Sequence, residues 1–454
     1  MIQSERVQFL NDRPVANGRY VLYWMQQAQR ASGNHALEYA IREADALRLP
    51  VVAVFGVTRR FPGARHRHYA FMLDGLAETS EGLRSRGIRL AFRLEPPPKA
   101  VHSLSEGAAL IVTDRGYLRV QRSWRNAVAR AAGCRVVQVE SDVVVPVETA
   151  SDHEEYAART IRPKIERQLD GFLMPLEETE PARDSLSLRL PGGQSRSFNA
   201  IADSLRMARV AYSASPRPGA TAAHEALRAF VTGPARRYAN DHSDPGLDAS
   251  SRLSPYLHFG QISPVEVALA VRVARGISDD DRTDFMEELI VRRELSMNFC
   301  HYNDAYDTYE CVPDWARKTL KKHARDPRPW LYTERQLERA ETHDPYWNAA
   351  QREMVATGFM HGYMRMYWGK KIIEWSPSPE AAFRTALKLN NAYQLDGRDP
   401  NSFAGVAWCF GKHDRPWQER EVFGTVRWMS PRGLERKFDM EAYLNRVAPL
   451  ERSE

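Results

Sequence analysis

The chain has 454 residues, 43% of them hydrophobic and 27% charged, with 64 Lys and Arg against 58 Asp and Glu and a formal net charge of +6. That length allows two or three domains with a large core, and the composition excludes disordered, collagen-like and low-complexity classes. No run approaches the roughly 18 apolar residues of a membrane helix, MIQSERVQFL lacks the apolar stretch of a secretory signal, and Cys134, Cys300, Cys311 and Cys409 are too scattered for a disulfide framework or zinc site, so a cytoplasmic protein with no membrane partner is expected.

Residues 20–147 alternate short apolar runs with amphipathic stretches: YVLYWM, then ALEYAIREADALRL, PVVAVFGV, YAFMLDGLAETSEGL, IRLAFRL, ALIVTD and CRVVQVE. Alternation of this kind predicts strands joined by crossover helices, hence an α/β unit with a parallel, Rossmann-like sheet over residues 1–175. No G-x-G-x-x-G follows its first strand, so an ordinary dinucleotide site there has no support. Residues 176–221 turn polar and rich in Pro, Ser and Gly (PLEETEPARDSLSLRLPGGQSRS, later SASPRPGA), which reads as a linker.

From 222 to 454 the period becomes helical. Ser263-Pro264-x-Glu266, Asp344-Pro345 and Ser378-Pro379-Glu380 are helix starts, and Gly276 and Gly358 are stops, so an all-α second domain is expected. From residue 226 onward 33 basic residues balance 33 acidic ones, so net charge does not mark this half as a polyanion binder.

Eight of the ten tryptophans lie in that half. Any single one is an ordinary core filler, and Trp375 is assigned to the core on that basis. Together they suit a helical domain that holds a flavin or base, because indoles stack on flat ring systems and can be oxidised. In MHGYMRMYWGKKIIEW, Arg365 and Trp368 share a helix face. SSRLSPYLHFGQIS offers hydroxyls at a helix start, where a capping box and a diphosphate site are both open readings. NNAYQLDGRDPNSFAGVAW gathers Asn390, Asn391, Asp396, Asp399 and Asn401 beside Trp408; such Asx-rich loops satisfy their own backbone, and can also bond sugar hydroxyls or a ring edge.

In order along the chain, LSPYLHFGQIS, EELIVRRELSMNFC, THDPYWNAAQ, MHGYMRMYWGKKIIEW, YQLDGRDPNSFAGVAW and HDRPWQERE resemble the class II cyclobutane pyrimidine dimer photolyases of the photolyase/cryptochrome family. The resemblance spans nearly the whole chain, from YVLYWM to RKFD at 439. It implies a light-dependent DNA repair lyase with an α/β antenna domain and a helical domain that binds FAD. In such an enzyme, excited FADH⁻ donates an electron to the dimer, the cyclobutane ring opens, and the electron returns. The partner would be UV-damaged DNA, the protein a monomer, and the antenna pigment an 8-hydroxy-5-deazaflavin, another chromophore or none.

Residue by residue, the resemblance assigns Tyr238, Ser251, Leu253 and Ser254 to the FAD diphosphate and ribityl chain, and Asp396, Asp399 and Asn401 to the loop at the flavin. Asn390 and Arg365 match a polar pair facing the flavin N5. Glu288 matches the acid that hydrogen-bonds the dimer carbonyls, and Met366 and Trp408 match lesion-pocket contacts. Trp368 and Trp347 match an indole pair that carries electrons from the surface, joined by Tyr332.

The chain also departs from the pattern. Arg292 stands where some members have a second lesion-stacking Trp, His242 stands where some have an Arg near the DNA, and the FGKHDRPW loop is one residue shorter, with Arg415 retained as a phosphate contact. The rivals are a cryptochrome without repair activity, whose mark would be a long tail after the helical domain, a redox flavoprotein that does not bind DNA, and a (6-4) photoproduct enzyme, which would need a histidine pair.

Overall fold

A computed structural model describes residues 2–191, 197–205 and 216–453. Its N-terminal part is built on a six-stranded sheet. In chain order the elements are β1 (Val7–Phe9), β2 (Tyr20–Trp24), α1 (His35–Ala46), β3 (Val51–Gly56), α2 (His66–Ser85), β4 (Arg89–Arg93), α3 (Pro97–Ser105), β5 (Ala108–Asp114), α4 (Arg119–Ala131) and β6 (Arg135–Val139). Every strand called from the sequence is present. The strand order is β1-β6-β5-β2-β3-β4, parallel throughout except for β1, which runs antiparallel to β6. β1 was not expected, because three residues are too few to show alternation. The two faces carry separate apolar layers, one with α1 and α2 and one with α3 and α4.

Strand order reverses between β2 and β5, which places a crevice at the carboxyl ends of these two strands. Asp114, at the end of β5, accepts backbone N–H groups of Gln26 (2.7 Å), Gln27 and Ala28 (2.8 Å), and so fixes the loop leaving β2.

Where it is described, the stretch expected to be a linker is docked on the sheet unit. Thr179 donates its N–H to Glu38 and accepts from Arg86, Ser185 bonds Gly87, and the short helix Phe198–Ser204 buries Ile201. The PGGQSRS and SASPRPGA runs lie partly outside the described residues.

The rest is helical. Among the described residues beyond 222 there is no strand, only a single bridge between Arg420 and Gly424. Two of the predicted caps form as read: Asp344 accepts from the N–H groups of Tyr346 and Trp347 ahead of helix Pro345–Thr357, which Gly358 ends at φ +75°, and Ser378 caps Pro379–Tyr393. Helix Pro264–Val273 starts where expected, but the Ser263 side chain makes no capping bond and the helix ends at Val273, three residues before Gly276. The helix from Asp279 to Tyr302 holds a surprise. Its middle, Glu287–Arg292, is a π-helical stretch between two α-helical segments. A π-turn inserts one extra residue and re-aims the side chains around it. Just after it, Arg293 pairs with Asp142 at 3.0 Å, and Glu294 accepts from the Val144 N–H at 2.6 Å, tying the helix to the sheet unit.

Candidate active site

One cleft in the helical part holds about 1030 Å³ and is lined by segments far apart in the chain. Tyr238, Ser251, Leu253, Ser254, Glu288, Arg365, Asp396, Asp399 and Asn401 all stand on its wall, as do Ser250, Arg252 and Arg293. The loop into it bends at Arg252, which adopts φ +56° while its guanidinium grips Asp248 at 2.8 Å and lies 3.7 Å over the Phe359 ring. Tyr238 is packed by Phe230 and Phe285, and its ring stacks on His242 at 4.7 Å.

The acidic loop is held from within. Asp399 caps helix Pro400–Cys409 through the Asn401 N–H at 2.9 Å, accepts from the Asn401 amide at 3.1 Å, and meets His258 Nδ1 at 3.1 Å. Its burial works against ionisation, yet the bond from His258 and the nearby Arg293 charge bring its carboxyl below the usual range. Arg365 reaches Asp396 at 3.2 Å and Gln394 at 3.2 Å. Two buried polar atoms on this wall, Ser250 Oγ and Arg365 Nε, have no hydrogen-bond partner among the described residues.

Glu288 projects from the π-turn into the cleft. It is open to the solvent there but crowded by protein on its other sides, and this desolvation raises its carboxyl pKa against the opposing charges of Arg292 and His242. Arg292, four residues on, is exposed and bonds Glu287 at 2.9 Å, which also holds Arg162. Asn390 is off the lining: it is buried, with its amide donating to Asn391 at 3.2 Å. Met366 and Trp408 are half-buried and also outside the lining. Arg415 is exposed, 5.5 Å from the Trp417 ring.

One helical turn after Arg365, Trp368 begins a line of aromatic rings. Trp368 and Trp347 are 6.3 Å apart and nearly parallel, and both are buried. The pair therefore does not reach solvent by itself. Trp375, which the sequence reading left in the core, is 5.7 Å from Trp347 and 5.4 Å from Tyr332, and joins the pair to the surface. Its spacing of seven residues from Trp368, two helical turns, was the available signal.

A second cavity, of about 900 Å³, lies at the switch point of the sheet. Trp24, Gln29, Phe55, Tyr69 and Trp124 line it from the sheet unit, and His258 and Arg398 close it from the helical part. His258 thus forms wall in both cavities. Trp24 Nε1 and Gln29 Oε1 are buried there without a hydrogen-bond partner among the described residues. No residue of this cavity is assigned to a site by the sequence, because its walls come from many separate strands, loops and helices.

A family model described as DNA photolyase matches residues 21–182. The chain is 49% identical over 454 residues to a deoxyribodipyrimidine photo-lyase of Methanothermobacter thermautotrophicus, covering 99% of each chain. To that of Potorous tridactylus it is 40% identical over 436 residues, covering 94% of this chain and 81% of the relative. Among solved structures, a bacterial class III photolyase from Agrobacterium tumefaciens superposes with a TM-score of 0.74 at 21% identity, over 96% of this chain and 87% of that one, a likeness of fold. At such identity over nearly its whole length, the chain belongs to the DNA photolyase family and is an enzyme of light-dependent DNA repair.

Proposed function

We propose that the chain reverses cyclobutane pyrimidine dimers in UV-damaged DNA, with FAD held in the helical cleft, as a member of the class II subgroup. The observation that carries this reading is the convergence of Tyr238, Ser251, Leu253, Ser254, Glu288, Arg365, Asp396, Asp399 and Asn401, spread over more than 160 residues of sequence, on one cleft wall. The residues fit the cofactor. Unpartnered Ser250 Oγ offers a donor on a wall that also carries Arg252 and Arg293, as a diphosphate requires, and unpartnered Arg365 Nε offers one for the flavin ring. FAD, when bound, supplies the light-driven electron that opens the cyclobutane ring and takes it back.

The protein's part is binding, orientation and charge. Glu288, whose carboxyl desolvation pushes toward the neutral form, would in that form donate a hydrogen bond to a dimer carbonyl and so favour the state in which that carbonyl carries added charge. The dimer leaves the duplex to reach the cleft, at a cost lowered by its own disrupted stacking. Arg292, Met366 and Trp408 border the flipped bases, Arg415 holds a phosphate, and the Asn390–Arg365 pair serves the flavin N5. Trp368 and Trp347 reload the flavin, and the contacts of Trp375 support adding it to their path toward Tyr332.

The switch-point cavity takes the antenna pigment. Unpaired Trp24 Nε1 and Gln29 Oε1, one donor and one acceptor between aromatic walls, suit a flat heteroaromatic ring of the deazaflavin kind. The test is an absorption spectrum of the purified protein before and after blue light, followed by repair of an oligonucleotide carrying one dimer. A bound flavin with no repair would instead favour a signalling role.

A further inference from the structure

The aromatic line from Trp368 ends at a histidine. His343 lies 5.3 Å from Trp375, 6.0 Å from Tyr332 and 4.5 Å from Trp330, and Trp330 covers one face of its ring. We infer that His343 is the base that takes the phenolic proton of Tyr332, making Tyr332 the terminal electron donor of the path. The inference rests on the aromatic path proposed above.

The hydrogen bonds assign the roles. The Tyr332 oxygen accepts the backbone N–H of His343 at 3.0 Å and lies 2.7 Å from His343 Nδ1. With a backbone N–H already donating to the oxygen, the phenol's own hydrogen fills the shorter contact. Nδ1 is then the acceptor, and the ring proton sits on Nε2. A phenol gives up an electron readily only as its proton leaves, so a base at hydrogen-bond distance makes Tyr332 a competent donor. Trp375 is a poor resting place for positive charge, since the Lys371 ammonium stands 5.6 Å from its ring, offset in part by Glu374 at 2.7 Å from Lys371.

The other charged groups around His343 are committed elsewhere or lie in its own segment. Asp344 accepts from Tyr346, Trp347 and Tyr367, and Glu341, two residues before His343, lies 3.9 Å from Arg339. His343 is exposed, so solvent screens the imidazolium once formed.

The step balances. Trp375, having passed one electron inward through Trp347 and Trp368 to the light-excited flavin, takes one electron from Tyr332. The O–H bond breaks as an N–H bond forms at His343 Nδ1. The products are neutral Trp375, a neutral tyrosyl radical and an imidazolium. One electron from an exogenous thiol, with the proton handed back, restores the pair.

The test is electron paramagnetic resonance of the illuminated holoenzyme, together with nitrogen NMR of the dark protein. The wild type should give a neutral tyrosyl signal that Tyr332→Phe abolishes. In His343→Ala the signal should form about a hundredfold more slowly, the low end of what a positioned base contributes. Free imidazole, but not an equal concentration of sodium chloride, should restore it, and NMR should find Nδ1 of His343 unprotonated. A wild-type tyrosyl signal in His343→Ala, or a protonated Nδ1 in the dark, overturns the assignment. A wild-type tryptophan radical without any tyrosyl signal also overturns it while leaving the path intact, whereas no aromatic radical at all overturns the path and this inference with it.

Discussion

The Trp347 and Trp368 ring planes are 7° apart at a centroid distance of 6.3 Å, and the Trp347 indole N–H donates to the Trp368 carbonyl at 3.0 Å. The Trp368 N–H is in turn taken by Gln351 at 2.9 Å. Both indoles are thus oriented by hydrogen bonds as well as packing, which holds the spacing between them constant.

Replacing Trp347, Trp368 or Trp375 by Phe should slow photoreduction of the flavin sharply in each case. Repair by chemically reduced protein should stay near wild type, since the repair electron does not cross these rings. Flavin absorbance under continuous blue light checks the first, and dimer repair without prior illumination checks the second. An unaffected Trp375→Phe would leave that buried residue a core filler and remove it from the path.

Glu288→Ala should lower the quantum yield of repair more than the affinity for damaged DNA, because its bond strengthens only when the dimer gains charge. Burial raises the Glu288 pKa, so the neutral acid persists above the ordinary carboxylate range, and yield should fall as pH climbs through the raised value. Glu288→Gln, a donor that does not titrate, should flatten that fall. A yield in the Gln variant as pH-sensitive as in the wild type would remove Glu288 from this role.

Burial lifts the Glu294 carboxyl to about 8, against the Val144 N–H and the Arg293 charge that favour ionisation. A folded pKa above the unfolded one means that the native state holds more protons between roughly pH 4.5 and pH 8, so stability is lost as pH rises through that window. Asp142, lifted by burial to about 7, adds to the same trend. Glu294→Gln should shrink the slope by up to about 1.4 kcal/mol per pH unit, read from urea midpoints across the window.

Arg415→Ala should weaken binding to damaged DNA and reduce the magnitude of the logarithmic salt slope by about 1, with repair yield at saturating DNA unchanged. Arg415 is exposed beside Trp417 and is not part of the cleft wall, so its loss should leave the cofactor site intact. A reduced yield at saturation would place it in the chemistry instead.

Asp399→Ala should lose both bound FAD and stability, the latter by about 1 kcal/mol for the cap alone. Asp399→Asn keeps a capping side chain, so it should recover much of the thermal midpoint and little of the flavin content if the charge facing His258 matters for the cofactor.

What was legible in the sequence was local. Five of the six strands declare themselves as apolar runs, the helix starts at Asp344 and Ser378 as caps followed by Pro, and nine residues of the cleft through a residue-by-residue resemblance to a family. These signals survive because a hydrogen-bond cap or an amphipathic period is completed within a few residues. The tertiary structure alone decided the rest. The π-turn at Glu287–Arg292 leaves no compositional mark in the chain. Trp375 reads as core from its neighbours, and its place between Trp347 and Tyr332 shows only when these are brought against it from other segments. Asn390, Met366 and Trp408 sit close in sequence to cleft residues yet off the wall, because a helix shows successive residues to different sides. The switch-point cavity, finally, exists only as the space that separate loops and helices leave between them, and no single stretch of chain encodes a space.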